Sequence, residues 1–112
     1  MNVPFPAPPY ARGVVALRAA PDCTLSTAWQ RTTAPNALGG PNYPSITPTV
    51  ANGVVYVVRS KNSVAYAFNA ATGAQLWNSG TRVRGRIYTA ATVANGQLLV
   101  ASTGGSVYAF AP

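Results

Sequence analysis

The sequence predicts an all-β chain, a partial β-propeller of antiparallel four-stranded blades holding about two to two and a half of them. Three observations carry that expectation. Short β-branched and aromatic runs alternate with turn-forming residues, and Gly and Pro contribute ten residues each, a composition suited to many short strands. Charged residues are only 8% of the 112 and hydrophobic ones 48%, which excludes disorder, and the strand-like runs exclude a helical bundle. The third observation is an internal repeat. Val50-Ala-Asn-Gly53 recurs as Val93-Ala-Asn-Gly96 and Ala65-Tyr-Ala-Phe68 as Val107-Tyr-Ala-Phe110, at offsets of 43 and 42 residues. A period near 42 with four short strands per unit marks a propeller blade.

Residues 1–12 are Pro-rich and read as an extended linker. Residues 13–112 carry the repeats, with 13–30 the end of one blade, 46–80 a complete blade and 86–112 an incomplete one. Residues 13–19 predict a strand, 21–24 a turn, and a second strand ends at Trp29, which falls where Trp77 falls in the complete blade. Residues 30–45 are polar with Gly and Pro and predict a loop between units. Residues 46–50 predict a short strand, in which Pro48 suits an edge or an end because proline brings no N–H to a ladder. Residues 54–58 and 63–68 predict a hairpin around Ser60-Lys-Asn62. Asn69-Ala-Ala-Thr-Gly73 predicts a tight turn, in which Gly73 can take the positive φ that a Cβ resists, and residues 75–77 begin the fourth strand.

Residues 82–88, Arg-Val-Arg-Gly-Arg-Ile-Tyr, alternate at strand period, which predicts that Arg82, Arg84 and Arg86 share one face. Residues 97–102 and 107–110 then restate two strands of the complete blade around a Gly104-Gly105 turn. A closed propeller takes roughly four to eight blades, so this chain reads as a fragment of a larger one or as one piece of an oligomeric one. Its expected partners are the remaining blades of a parent propeller, or further copies of itself through open blade edges.

The formal charge is +7, from eight Lys and Arg against the single acid Asp22. That balance attracts nucleic acid, anionic lipid or acidic polymers electrostatically. The basic residues are scattered with no dense run, so the surface reads as basic for want of acids, which argues against a nucleic-acid partner. Cys23 is the one cysteine, which excludes an intrachain disulfide, and pairing with a distant Cys of a longer chain stays open. With no His and one acid, no nucleophile, base and orienting acid can be assembled, and no metal constellation is visible, so the reading leans away from catalysis. No apolar run approaches the roughly 20 residues that span a bilayer. The first ten residues have neither the basic region nor the continuous apolar run of a signal peptide, so the chain either stays where it is made or begins further upstream.

Residues 48–57 followed by Ala65-Tyr-Ala-Phe-Asn-Ala-Ala-Thr-Gly-Ala-Gln-Leu-Trp77 resemble the PQQ-like (pyrroloquinoline-quinone-type) β-propeller repeat of the quinoprotein alcohol dehydrogenase-like superfamily. Its hallmark is a turn ending in Thr-Gly a few residues before a Trp, and Asn69 stands here where that turn often carries Asp. The resemblance covers residues 13–112. It implies that Trp77 with Gly73, and Trp29 in the divergent copy, are structural interblade residues, and that the parent protein is periplasmic or secreted. An aromatic recurring once per unit is also what packing alone expects of a spacer between stacked sheets.

Quinoprotein dehydrogenases of that superfamily hold PQQ and a calcium ion among acidic residues. This chain has no Glu and only Asp22, so no cofactor is expected within it, and PQQ and calcium enter only if the parent is a dehydrogenase. The expected function is a non-catalytic structural or binding scaffold, taking a protein or a small anionic ligand. The alternative is a fragment of a PQQ-dependent alcohol or sugar dehydrogenase whose cofactor and catalytic residues lie in other blades. The candidate anion-binding residues are Arg82, Arg84 and Arg86, in a segment linking two blades where propellers line the channel or its mouth. The competing reading is a solvated edge strand protected by charge. The tyrosines suggest a stacking platform for sugars or bases, but Tyr66 and Tyr108 are equivalent repeat positions, which favours packing.

Overall fold

The computed structural model describes residues 13–32, 47–59 and 63–111, which hold nine strands and no helix. The chain divides into two compact units, residues 1–39 and 40–112. The linker expected at 1–12, most of the loop expected at 30–45 and the hairpin turn at 60–62 lie outside the described residues.

In the first unit, β1 (Gly13–Ala19) and β2 (Leu25–Thr32) form an antiparallel hairpin. Gln30 and Arg31, expected in a loop, instead continue β2, because they find cross-strand partners in Val15 and Val14. The register slips between Ala16 and Leu17, and Trp29 lies opposite Ala16. The hairpin turn is held by Asp22, whose carboxylate accepts from the Thr24 hydroxyl at 2.7 Å and the Thr24 N–H at 3.1 Å. Both bonds favour the charged form, the hydroxyl more, and keep the Asp22 carboxyl below its ordinary range.

The second unit contains a four-stranded and a three-stranded antiparallel sheet. The first orders β3 (Thr49–Ala51), β4 (Val54–Arg59), β5 (Val64–Asn69) and β6 (Gln75–Asn78) side by side in chain order. The second orders β7 (Thr92–Ala94), β8 (Gln97–Ala101) and β9 (Val107–Phe110) in the same way. Asn52-Gly53 and Asn95-Gly96 close the first hairpin of each sheet with two-residue turns, in which φ is 51° at both asparagines and 75° and 73° at the glycines. Asn and Gly are the residues that adopt this left-handed pair at least cost, and its twist matches that of the strands.

Two expected elements differ. The strand expected from residue 46 begins at Thr49, leaving Thr47 and Pro48 outside the ladder, where a missing N–H is harmless. Residues 82–88 form no strand, so the common arginine face at strand period does not arise. The segment bends at Gly85, whose φ is 85°. Its polar backbone groups go to hairpin turns on either side instead of to a ladder. The Ser63 hydroxyl donates to the Gly85 carbonyl, the Thr103 N–H donates to the Arg86 carbonyl at 2.9 Å, and the Arg86 N–H donates to Thr103 Oγ1 at 2.9 Å.

Strand pairing decides which faces meet. Tyr56, Val58, Ala65, Ala67 and Trp77 share one face of the first sheet, because directly paired residues point the same way. Val93, Leu98, Val100, Tyr108 and Phe110 share one face of the second. Residues of these two faces join in one core, with Val83, Ile87 and Ala91 of the connecting segment between them. Ala65, Ile87 and Leu98 are 0% exposed. At the first strands, the Thr49 hydroxyl donates to the Ala91 carbonyl at 2.7 Å and ties one sheet to the lead-in of the next.

Candidate functional site

Trp77 reaches across the seam between the sheets. It sits on β6 opposite Ala67, and its ring lies 5.0 Å from that of Phe110 on β9, tilted by 56°. The Arg82 guanidinium covers the pair, 5.5 Å from the Trp77 centroid and 5.4 Å from that of Phe110. Its Nε donates to the Ser79 carbonyl at 2.9 Å and its Nη2 to the Asn78 carbonyl at 3.0 Å. Arg82 therefore serves the joint between sheets, combining cation–π attraction with two hydrogen bonds to the end of β6.

Ser79 follows β6 and is 0% exposed. Its N–H donates to the Ala65 carbonyl and its Oγ accepts from the Ala65 N–H, both at 2.9 Å, so a side chain extends the β5–β6 ladder and leaves a buried hydroxyl satisfied. Gly73 is buried in the β5–β6 turn with φ of 76°, and its N–H donates to the Asn69 carbonyl at 2.7 Å. Asn69 Oδ1 accepts from the N–H groups of Ala71 at 2.9 Å and Thr72 at 3.2 Å. An amide oxygen thus supplies the acceptor that an Asp would bring to this turn. Trp29, in the first unit, is 7% exposed.

The three arginines have three separate settings. Arg82 is engaged at the aromatic joint. Arg84 is exposed, and its N–H donates to the Tyr108 hydroxyl at 3.1 Å. Arg86 lines a shallow depression of about 180 Å³ with Tyr88, Thr89, Ala101, Ser102 and Thr103. Between Arg84 and Arg86 the backbone passes so close to the β8–β9 turn that a Cβ on Gly85 would lie 2.7 Å from the Gly104 nitrogen. The tyrosines at equivalent repeat positions behave alike. Tyr66 stacks on Phe68 at 5.9 Å and Tyr108 on Phe110 at 6.3 Å, with interplanar angles of 11° and 7°.

Sequence reasoning missed Val83, Ile87, Ser63 and Ser79. Val83 and Ile87 were visible as apolar residues four apart, which at strand period share the face opposite the arginines, and that face could have been read as a buried one. The serines left no signal, since their importance comes from carbonyl and N–H groups distant in the sequence.

The residues present do not fit PQQ with calcium. A calcium site takes several carboxylate or carbonyl oxygens. The one carboxylate side chain, Asp22, is bonded to Thr24 in an exposed turn. Among the described residues no group of three or more His, Cys, Asp or Glu stands together, and no helix is long and apolar enough to cross a membrane.

Comparison with known families gives a match over residues 11–112 to the model described as outer membrane protein assembly factor BamB, a family of PQQ-like repeats. No match was found among curated proteins.

Proposed function

The chain belongs to the PQQ-like repeat family described as outer membrane protein assembly factor BamB, and on that premise we propose that it is a non-catalytic propeller segment working as a structural and protein-binding scaffold in an extracytoplasmic protein. The family name supports the place and the scaffold role, and the sequence supports the lack of chemistry. One carboxylate side chain and no imidazole leave no pair of groups to move a proton near neutral pH.

The observation that carries the reading is a face left open by the repeat. Ala65 and Ala67, 0% and 2% exposed, point to the side of the first sheet that meets the second. Their counterparts one repeat later are Val107, 70% exposed, and Ala109, also exposed. An apolar face covered in one repeat and bare in the next is a surface for another repeat. We take Trp77 and Gly73 as interblade residues on the same grounds, and Trp29 as their counterpart in the first unit.

A tandem protein with a second copy of residues 48–112 fused after residue 112 tests this. The added copy is expected to raise the melting temperature and to protect the β9 amides from exchange. An unchanged melt with unprotected β9 amides would refute the scaffold reading. Turnover of alcohols or sugars by the chain loaded with PQQ and calcium would refute its non-catalytic part.

A further inference from the structure

We infer that Asn95-Gly96, the turn between β7 and β8, is a site of spontaneous covalent modification, where the asparagine amide becomes an aspartyl or isoaspartyl carboxylate ahead of the equivalent turn at Asn52-Gly53. These are the two places in the chain where Gly follows Asn. A glycine there leaves the backbone nitrogen unshielded by a side chain.

The chemistry needs only water. The Gly96 nitrogen attacks Asn95 Cγ, the new C–N bond closes a five-membered succinimide, and the Cγ–Nδ2 bond breaks, the side-chain nitrogen carrying the amide proton away as ammonia. Water then opens the ring, its hydroxyl going to one of the two carbonyl carbons and its proton to the ring nitrogen. Addition at Cγ leaves Asp. Addition at the main-chain carbonyl leaves isoaspartate, whose backbone runs through Cβ and Cγ. Nothing is oxidised or reduced.

What separates the two turns is how each is held. Both asparagines are exposed with φ of 51°, and a Cβ on either glycine would meet nothing within 4 Å, so the turns stand alike in open space. Ring closure swings the side chain over its own peptide, so the turn must leave this conformation and the rate follows the ease of local opening. The Gly53 carbonyl accepts from the Ala70 N–H at 2.8 Å, which ties the first turn to the next one along the sheet. At the 42-residue offset the place of Ala70 falls to Pro112, which has no N–H to give. The adjoining strands repeat the difference. The Thr49 hydroxyl on β3 donates to the Ala91 carbonyl at 2.7 Å, whereas Thr92, its counterpart on β7, has no such bond among the described residues.

The product changes the second sheet. Residues 40–112 contain no acidic side chain, so the new carboxylate is the first in that unit. Ala94 pairs with Gln97 across a turn of two residues, and isoaspartate adds an atom to that main chain, which so short a turn cannot take without disturbing the register. Val93 and Leu98, the next pair, pack in the core. Modification at Asn95 therefore loosens β7 and β8 and leaves the first sheet intact.

Incubation of the full chain at mildly alkaline pH, with peptide mapping by mass spectrometry over time, tests the assignment. In the folded protein Asn95 is expected to convert about fivefold faster than Asn52, the factor that one backbone hydrogen bond supplies. In concentrated urea the two rates should meet, because Val-Ala-Asn-Gly is common to both sites. Ala70→Pro removes the N–H that holds the Gly53 carbonyl, and in a variant shown by its melting curve to be folded it is expected to bring Asn52 up to the rate of Asn95. Amide exchange on the purified isoaspartyl form should show protection lost across β7 and β8 and kept in β4 and β5. Equal conversion of the two asparagines in the folded chain, a ratio that persists in urea, or an Asn52 rate that Ala70→Pro leaves unchanged would overturn the inference.

Discussion

Asn69 shows how one acceptor can hold a turn together. Its Oδ1 takes the N–H groups of Ala71 and Thr72 while its carbonyl takes that of Gly73, so three donors in five residues depend on one side chain and one peptide. Only acceptors are used, and the amide nitrogen has no part in these bonds. Asn69→Asp is therefore expected to be near neutral, and Asn69→Ala to cost about 1 kcal/mol, measured by urea denaturation. The residue type was legible in the sequence as a turn former, and so was the positive φ of Gly73. Ser79 was not. A buried serine that replaces a backbone pair looks, in one dimension, like any polar residue in a turn.

At the scale of the element, hairpins were legible and the connector was not, for one physical reason. A hairpin is a local object. Asn52-Gly53 and Asn95-Gly96 fix their turns by intrinsic preference, and the β-branched neighbours supply the strands. Residues 82–88 have the alternation of a strand but no neighbouring strand, so their hydrogen bonds go to Ser63 and Thr103, 22 and 17 positions away. Alternation reports on side chains and is silent about where the backbone bonds. The end of β2 erred the other way, since Gln30 and Arg31 lack strand propensity and are held by Val15 and Val14. The joint at β6 and β9 gives a measurable coupling. Trp77→Ala is expected to cost near the lower end of about 3–5 kcal/mol, because the ring is only partly buried. Phe110→Ala should then add less in the Trp77→Ala background than alone, by about 0.5–1.5 kcal/mol in a double-mutant cycle. Additive losses would show that the two rings do not support each other.

For the whole molecule, the repeat was readable from Tyr-Ala-Phe and Ala-Asn-Gly, but not which faces meet. Both faces of each sheet carry apolar residues, Val55, Val57 and Phe68 on one side and Val58, Ala65 and Ala67 on the other, all buried. Composition cannot rank two such faces. What selects between them is the path of the connector, which brings Val83 and Ile87 to one side only. The glycine at its bend carries the geometry. Gly85→Ala adds a Cβ within 2.7 Å of a backbone nitrogen at a φ that side chains resist, and is expected to cost about 2 kcal/mol or more. Amide exchange should show where that loss falls, with residues 83–87 losing protection while the β4–β5 and β8–β9 ladders keep theirs. Ser63 grips this peptide from one hairpin and Gly104 abuts it from the other. The step from one sheet to the next thus turns on a single bend that both hairpins hold, so a change at Ser63 or Gly85 would be passed to two sheets at once.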